Sequence, residues 1–205
     1  MTEKFTVYLV DDDPGALKAL SRLLRAKGHD VKPYSSPQVF LEEHDVAVPG
    51  CVVLDVSMPG LDGLEIQRVL TAASGYHRPV VFVTGKGDIP TSVRAMKAGA
   101  IDFLTKPVKD KDLFEAVSRA EARDAESRRL HSELESMQAK VSNLTPRERE
   151  VLTHVVAGRL NKQIAGDLGT VEKTIKVHRS RMMEKLGIRM VADLVRMAEK
   201  LNLSK

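Results

Sequence analysis

Four groups suited to phosphoryl chemistry each stand at the carboxyl end of a short apolar run in the first half of the chain. Asp11-Asp12-Asp13 follows the run 5–10, Asp55 follows 51–54, Thr84 follows 80–83, and Lys106 follows 101–104. Three carboxylates, a hydroxyl and an ammonium at one place suit magnesium-assisted transfer of a phosphoryl group to an aspartate. Magnesium takes carboxylate and water oxygens, and the adjacent acids Asp11 and Asp12 can face one ion together with Asp55. Asp55 can then attack as the nucleophile. Lys106 would neutralise charge on the transferred group, and Thr84 would donate a hydrogen bond to one of its oxygens. Any one of these residues is more simply a strand end or a helix cap. The functional reading rests on all four, in this order and at these positions.

The elements that must position them are legible. Strand-like apolar runs at 5–10, 29–34, 51–55, 80–84 and 101–104 alternate with helix-period segments at 14–27, 37–44, 63–73, 90–98 and 110–121. Alternating strands and helices predict an α/β, doubly wound, five-stranded parallel sheet of the flavodoxin-like kind. In such sheets ligand sites form at the carboxyl ends of the strands, where all four groups fall. Pro33 lies inside the second run, which weakens it as a strand, since proline favours sheet edges.

Residues 108–145 contain neither glycine nor proline. One continuous helix is expected from about Asp110 to Ser142, holding two domains apart. Leu130, Leu134, Met137, Val141 and Leu144 recur along it at heptad spacing. Arg123 and Ser127 interrupt the same register upstream, so a connector helix is the better reading and a coiled-coil dimer the lesser one. Beyond it the pattern is only helical. Thr145-Pro146-Arg147-Glu148 is an N-cap, a first-turn proline and a capping-box acid. Helices at 161–168 and 172–186, joined by Gly169-Thr170-Val171, have helix-turn-helix spacing. The expected domains are 4–121, a helical linker 122–143, and a small all-α domain 144–205.

Charge separates the two halves. Residues 1–121 hold 15 Lys/Arg against 17 Asp/Glu, whereas 144–205 hold 13 against 7. A basic excess confined to the last 62 residues suits a nucleic-acid-binding module. No apolar run is long enough to span a membrane, and the first residues lack the profile of a secretion signal, so no membrane association and a cytoplasmic location are expected. The single cysteine, Cys51, excludes an internal disulfide and a cysteine-rich zinc site and reads as a core thiol.

Residues 4–121 resemble the receiver domain of two-component response regulators. The carrying motifs are Val10-Asp11-Asp12-Asp13, Leu54-Asp55-Val56-Ser57-Met58-Pro59-Gly60, Thr84-Gly85-Lys86-Gly87-Asp88, Ala95-Met96-Lys97-Ala98-Gly99-Ala100 and Asp102-Phe103-Leu104-Thr105-Lys106-Pro107. They look most like the FixJ branch of the FixJ/NarL family. The resemblance implies that Asp55 is the phosphoacceptor and that Asp12 and Asp55 bind Mg2+ with the Ser57 carbonyl, Asp11 acting mainly through a coordinated water. It implies that Phe103 is the switch aromatic and that Lys106-Pro107 is a cis peptide. Ser57, Lys86 and Val108 depart from residues common in that branch, which bears on phosphoryl lifetime and partner choice rather than on the chemistry.

The last 60 residues resemble the LuxR-type helix-turn-helix, through Leu144-Thr145-Pro146-Arg147-Glu148-Arg149-Glu150-Val151-Leu152, Asn161-Lys162-Gln163-Ile164-Ala165, Thr174-Ile175-Lys176-Val177-His178-Arg179 and Lys185-Leu186-Gly187. Ile175, Met182 and Leu186 can form the packing face of a recognition helix. Lys176, Val177 and Ser180 match the family's base-reading positions, with Val177 able to meet a thymine methyl. Lys162, Lys173, Thr174, Arg179 and Arg181 are placed to hold phosphates. His178 reads as an edge-of-core residue, and Met182, Met183, Met190 and Met197 as packing residues.

The implied protein is a DNA-binding transcriptional regulator, an activator by resemblance, that is not an enzyme. Its partners would be a cognate sensor histidine kinase, double-stranded DNA, RNA polymerase and, on phosphorylation, a second copy of itself. A magnesium-dependent aspartyl-phosphate phosphohydrolase is disfavoured, because Ser57 stands where a general acid two residues after Asp55 is needed. A constitutive DNA-binding protein whose receiver only dimerises is disfavoured by the intact acidic trio, Thr84 and Lys106.

Overall fold

The apolar runs become strands because their residues face helices on both sides. In a computed structural model, which describes residues 4–72, 77–85 and 88–203, the strands are β1 (Thr6–Val10), β2 (Asp30–Tyr34), β3 (Gly50–Asp55), β4 (Val80–Thr84) and β5 (Asp102–Thr105). They form one parallel sheet in the order β2-β1-β3-β4-β5. Every residue of β1, β3 and β4 is buried. This is why those three are unbroken apolar runs in the sequence, as central strands of a parallel sheet must be. β2 buries only Val31, and with Pro33 inside it the strand sits at an edge as expected.

Alternate side chains of each strand serve two cores. Tyr8, Val10, Val52, Leu54 and Phe82 face one side, and meet Phe40 of α2 (Pro37–Glu43), Leu64, Ile66 and Leu70 of α3 (Gly63–Ala72), and Ala95 of α4 (Ile89–Lys97). Val7, Leu9, Cys51, Val53, Val81 and Val83 face the other. There they meet Leu20 and Leu24 of α1 (Pro14–Ala26) and Leu113, Ala116, Val117 and Ala120 of α5 (Asp110–Ser142). The Cys51 thiol is wholly buried, and burial pushes its pKa up, so it is a packed core group.

The helices begin where the capping residues stand. Asp13 caps α1 by accepting from Gly15 N, Ser36 caps α2, and Asp88 caps α4. α5 runs without a break over the span read from the sequence. The chain parts into two compact units, Met1–Arg129 and Leu130–Lys205, so the division lies inside α5.

The second unit is helical: α6 (Pro146–Val156), α7 (Asn161–Asp167), α8 (Glu172–Leu186) and α9 (Val191–Lys200). Its core joins Val151 and Leu152 to Ile164, Ile175, Met182, Leu186, Leu194 and Met197. Thr145 and Glu148 form the capping box at the start of α6, and Gly187 ends α8 with φ +70°. The heptad residues separate in their roles. Leu144 is buried in this core with Met137 and Val141 packed against it, while Leu130 is 43% exposed. The lower part of that apolar stripe thus packs on the core of its own unit. Of the methionines, Met182 and Met197 are buried and Met183 packs on the core, but Met190 is 60% exposed.

Candidate functional site

Because all five strands are parallel, the residues that end β1, β3, β4 and β5 meet at one edge of the sheet. Asp11 follows β1 and is buried. Its Oδ1 accepts from Asp13 N at 2.9 Å, and its Oδ2 accepts from Lys106 Nζ at 2.6 Å. Asp55 ends β3 and is buried too, with Oδ1 3.4 Å from Ser57 N and Oδ2 3.4 Å from Lys106 Nζ. Asp12 is exposed beside them. One carboxylate oxygen from each of Asp11, Asp12 and Asp55 lies within 4.8 Å of the others. Three hard oxygen donors this close suit a hard divalent cation. Asp13 stands outside this set, as read from the sequence, and its Oδ1 accepts from Gly15 N as the α1 cap.

Close backbone packing holds Asp55 in place. Gly63 N donates to Val56 O at 3.0 Å, and a Cβ on Gly63 would lie 2.5 Å from the Asp55 carbonyl. Only glycine allows α3 to start this close to the end of β3. Lys106 is fixed from the opposite side: its N donates to Thr84 O at 2.8 Å, and the Lys106-Pro107 peptide is cis, as the resemblance implied. Thr84 is fully buried at the end of β4. Phe103 is half-buried on β5, its ring centroid 6.0 Å from that of Phe82. Ser57 is exposed, and Lys86 lies outside the described residues.

The electrostatics follow from crowding. Burial raises the Asp55 carboxyl pKa; the Lys106 charge lowers it and the Asp11 charge raises it again, leaving it above the ordinary value. Burial pulls Lys106 down, but its hydrogen bond and attraction to Asp11 and then Asp55 outweigh this and raise it. A carboxylate beside a fixed ammonium and two more carboxylates is an arrangement that can bind a cation and serve phosphoryl chemistry.

On the second unit, Lys173, Lys176, Val177, Ser180 and Arg181 are exposed on α8, opposite the buried stripe of Ile175, Met182 and Leu186. Lys176 is paired with Glu172 at 2.9 Å. Lys162 is exposed on α7, while Thr174 and His178 are half-buried. Arg179 sits on the flank of the packing face, where its guanidinium donates to Asn161 Oδ1 at 3.0 Å. It therefore ties α8 to the start of α7.

A polar cluster at the opposite end of the sheet was not read from the sequence. Arg128 donates to the carbonyls of Val46, Ala47 and Val48 at 2.7–2.8 Å, and its Nε bonds Asp124, which is 1% exposed. Arg78 Nη2 donates to the carbonyls of Asp45 and Val48. Two arginines thus hold the loop before β3. The signal available in the sequence was an acid four residues before a base on one helix face, Asp124 to Arg128.

The fold and its acidic edge define a receiver domain, and the second unit a helix-turn-helix module. Residues 7–118 match the family described as response regulator receiver domain, and residues 142–198 the one described as bacterial regulatory proteins, luxR family. The chain belongs to these families: it is a response regulator of the two-component kind, a receiver joined to a LuxR-type DNA-binding domain. It is 41% identical over 201 residues to Nodulation protein W of Bradyrhizobium diazoefficiens, covering 98% of this chain and 88% of that one. It is 42% identical to response regulator protein TmoT of Ectopseudomonas mendocina, covering 97% and 90%. Among solved structures, response regulator StyR superposes with a TM-score of 0.80 at 45% identity, covering 96% of this chain and 99% of that one. Full-length FixJ from B. japonicum gives 0.57 at 36% identity, covering 98% and 99%. Among the described residues no helix is long and apolar enough to cross a membrane.

Proposed function

We propose that Asp55 accepts a phosphoryl group from a sensor histidine kinase, and that this controls how residues 144–205 bind promoter DNA. The observation that carries the reading is the convergence of Asp11, Asp12 and Asp55 with Lys106 at one sheet edge. A carboxylate oxygen of Asp55 attacks phosphorus, the bond to the donor's imidazole breaks, and the electron pair leaves with that nitrogen. Lys106 and Thr84 then hold the phosphoryl oxygens. Asp12 and Asp55 with the Ser57 carbonyl, and Asp11 mainly through a coordinated water, would hold Mg2+, which would supply screening between the carboxylates and the incoming phosphate.

The phosphoryl group adds roughly 1.5 to 2 negative charges at this edge. Thr84 and Lys106 move toward it and Phe103 with them, remodelling the β5–α5 face, through which two copies pair. Lys176, Val177 and Ser180 read base edges, while Lys162, Lys173, Thr174 and Arg181 hold phosphates. Arg179 supports the reading helix from Asn161 and meets the backbone beside it. The dimer acts in the cytoplasm as an activator that recruits RNA polymerase, with residues 4–121 as receiver, 122–143 as linker and no turnover of a substrate. The deciding experiment is Asp55→Asn, which removes the nucleophile but little volume. Acid-labile phosphate from acetyl phosphate and magnesium should vanish, and with it the phosphorylation-dependent gain in operator binding. Incorporation at the normal rate would exclude Asp55 as the acceptor.

A further inference from the structure

Lys18, Arg22 and Arg25 stand at four- and three-residue spacing on α1, so they form one cationic stripe. Among the described residues none has a carboxylate partner. The stripe borders a groove of about 620 Å3 between α1 and the edge strand β2, and no acid among the described residues lines it. Arg25 Nη2 donates to Val31 O at 3.0 Å, which fixes one guanidinium against the strand. Leu17 and Pro33 give the groove an apolar wall. Ser21 lines it as well and is 5% exposed, yet its Oγ has no hydrogen-bond partner. A helical serine ordinarily has the carbonyl four residues back within reach. Three cations without carboxylate partners, beside a groove that no described acid lines, point to an anion.

We propose that this groove binds a small phosphorylated organic anion. Its phosphoryl oxygens would pair with Lys18, Arg22 and Arg25, its apolar portion would lie on Leu17 and Pro33, and the Ser21 hydroxyl would turn outward to donate. The stripe spans about 10 Å along the helix, the reach of a nucleotide's diphosphate and sugar. Guanidinium forks match phosphate oxygens two at a time. The volume falls in the range of small-molecule sites, roughly 300–1,000 Å3. An extended acidic peptide is the poorer occupant, because Pro33 has no N–H to pair with an added strand. The groove shares no residue with the acidic edge, so it would be an input separate from Asp55.

The test is an amide NMR titration of the full chain with ADP, without divalent metal, beside a hexaglutamate peptide. Saturable shifts at Lys18, Ser21, Arg22 and Arg25 are expected. They should weaken about tenfold in Arg22→Ala or Lys18→Ala, the loss of one charge-assisted contact, and persist in Asp55→Asn. The proposal is overturned if ADP gives no saturable shifts, or if the shifts appear only around Asp11 and Asp55. It is likewise overturned if hexaglutamate binds as tightly as ADP. Because Asp55→Asn is included, failure here is separable from failure of the phosphoacceptor assignment.

Discussion

Lys106 Nζ lies 2.6 Å from Asp11 Oδ2, nearer than the 3.4 Å that separates it from Asp55 Oδ2. The ammonium therefore sits among the same carboxylates that a divalent cation would use, and competes with it for their charge. Lys106→Ala should bind magnesium more tightly. A unit charge about 4 Å away is worth about 1 kcal/mol even at the dielectric of water, so the gain should be at least about fivefold. Isothermal titration with magnesium chloride reads this directly. Unchanged or weaker affinity would mean that the lysine does not oppose the metal. Asp12→Ala should do the reverse, weakening magnesium binding and phosphorylation together.

The three carbonyls gathered by Arg128 fasten the α5 helix to the loop before β3. Arg128→Ala removes those bonds and takes a cation from beside the buried Asp124 carboxylate. The receiver should lose about 1–3 kcal/mol of stability in urea unfolding. Amide exchange should rise at residues 45–48 while the Asp55 edge stays protected. Exchange unchanged along that loop would show that its carbonyls are as well served by water.

Glu148 couples the start of α6 to Lys185 of α8 at 2.7 Å while accepting from Thr145 N at 2.9 Å. Lys185 first, and then the Thr145 amide, hold its carboxyl pKa below the usual glutamate range. A group depressed in the folded state adds stability above its unfolded value, and that stability is lost as pH falls through the folded value. The helical unit should therefore weaken as pH falls through the ordinary glutamate range and below it. Glu148→Gln should lose about 1 kcal/mol at neutral pH and flatten this dependence. Urea unfolding followed at α6 and α8 amides across that range is the measurement, and equal pH slopes in both proteins would reject it.

Lys176 and Val177 should matter for operator choice, and Arg181 for affinity on any duplex. A lost base contact typically costs about 1–3 kcal/mol, whereas a lost phosphate contact lowers the salt slope by roughly one. Salt titrations of Lys176→Ala and Arg181→Ala on operator and random DNA separate the two. If Lys176→Ala weakens both equally, the reading face lies elsewhere on α8.

The sequence by itself carried the strand order of chemistry, the helix starts and both domain families. The reason is local: β1, β3 and β4 are buried on both faces and so had to be continuous apolar runs, and Asp13, Ser36, Asp88 and Thr145 mark helix starts through their own side chains. Parallel strands then bring their ends to one edge, which made Asp11, Asp55, Thr84 and Lys106 legible as a set. What the tertiary structure decided were the partners. Lys106 prefers Asp11 across 95 positions of sequence, and Arg179 turns to Asn161. The same holds for the heptad residues, where Met137, Val141 and Leu144 join the core of the helical unit. Arg128 reaches a loop 80 residues away. Such choices depend on distances between elements far apart in the chain, and periodicity and capping report only on residues within a turn or two.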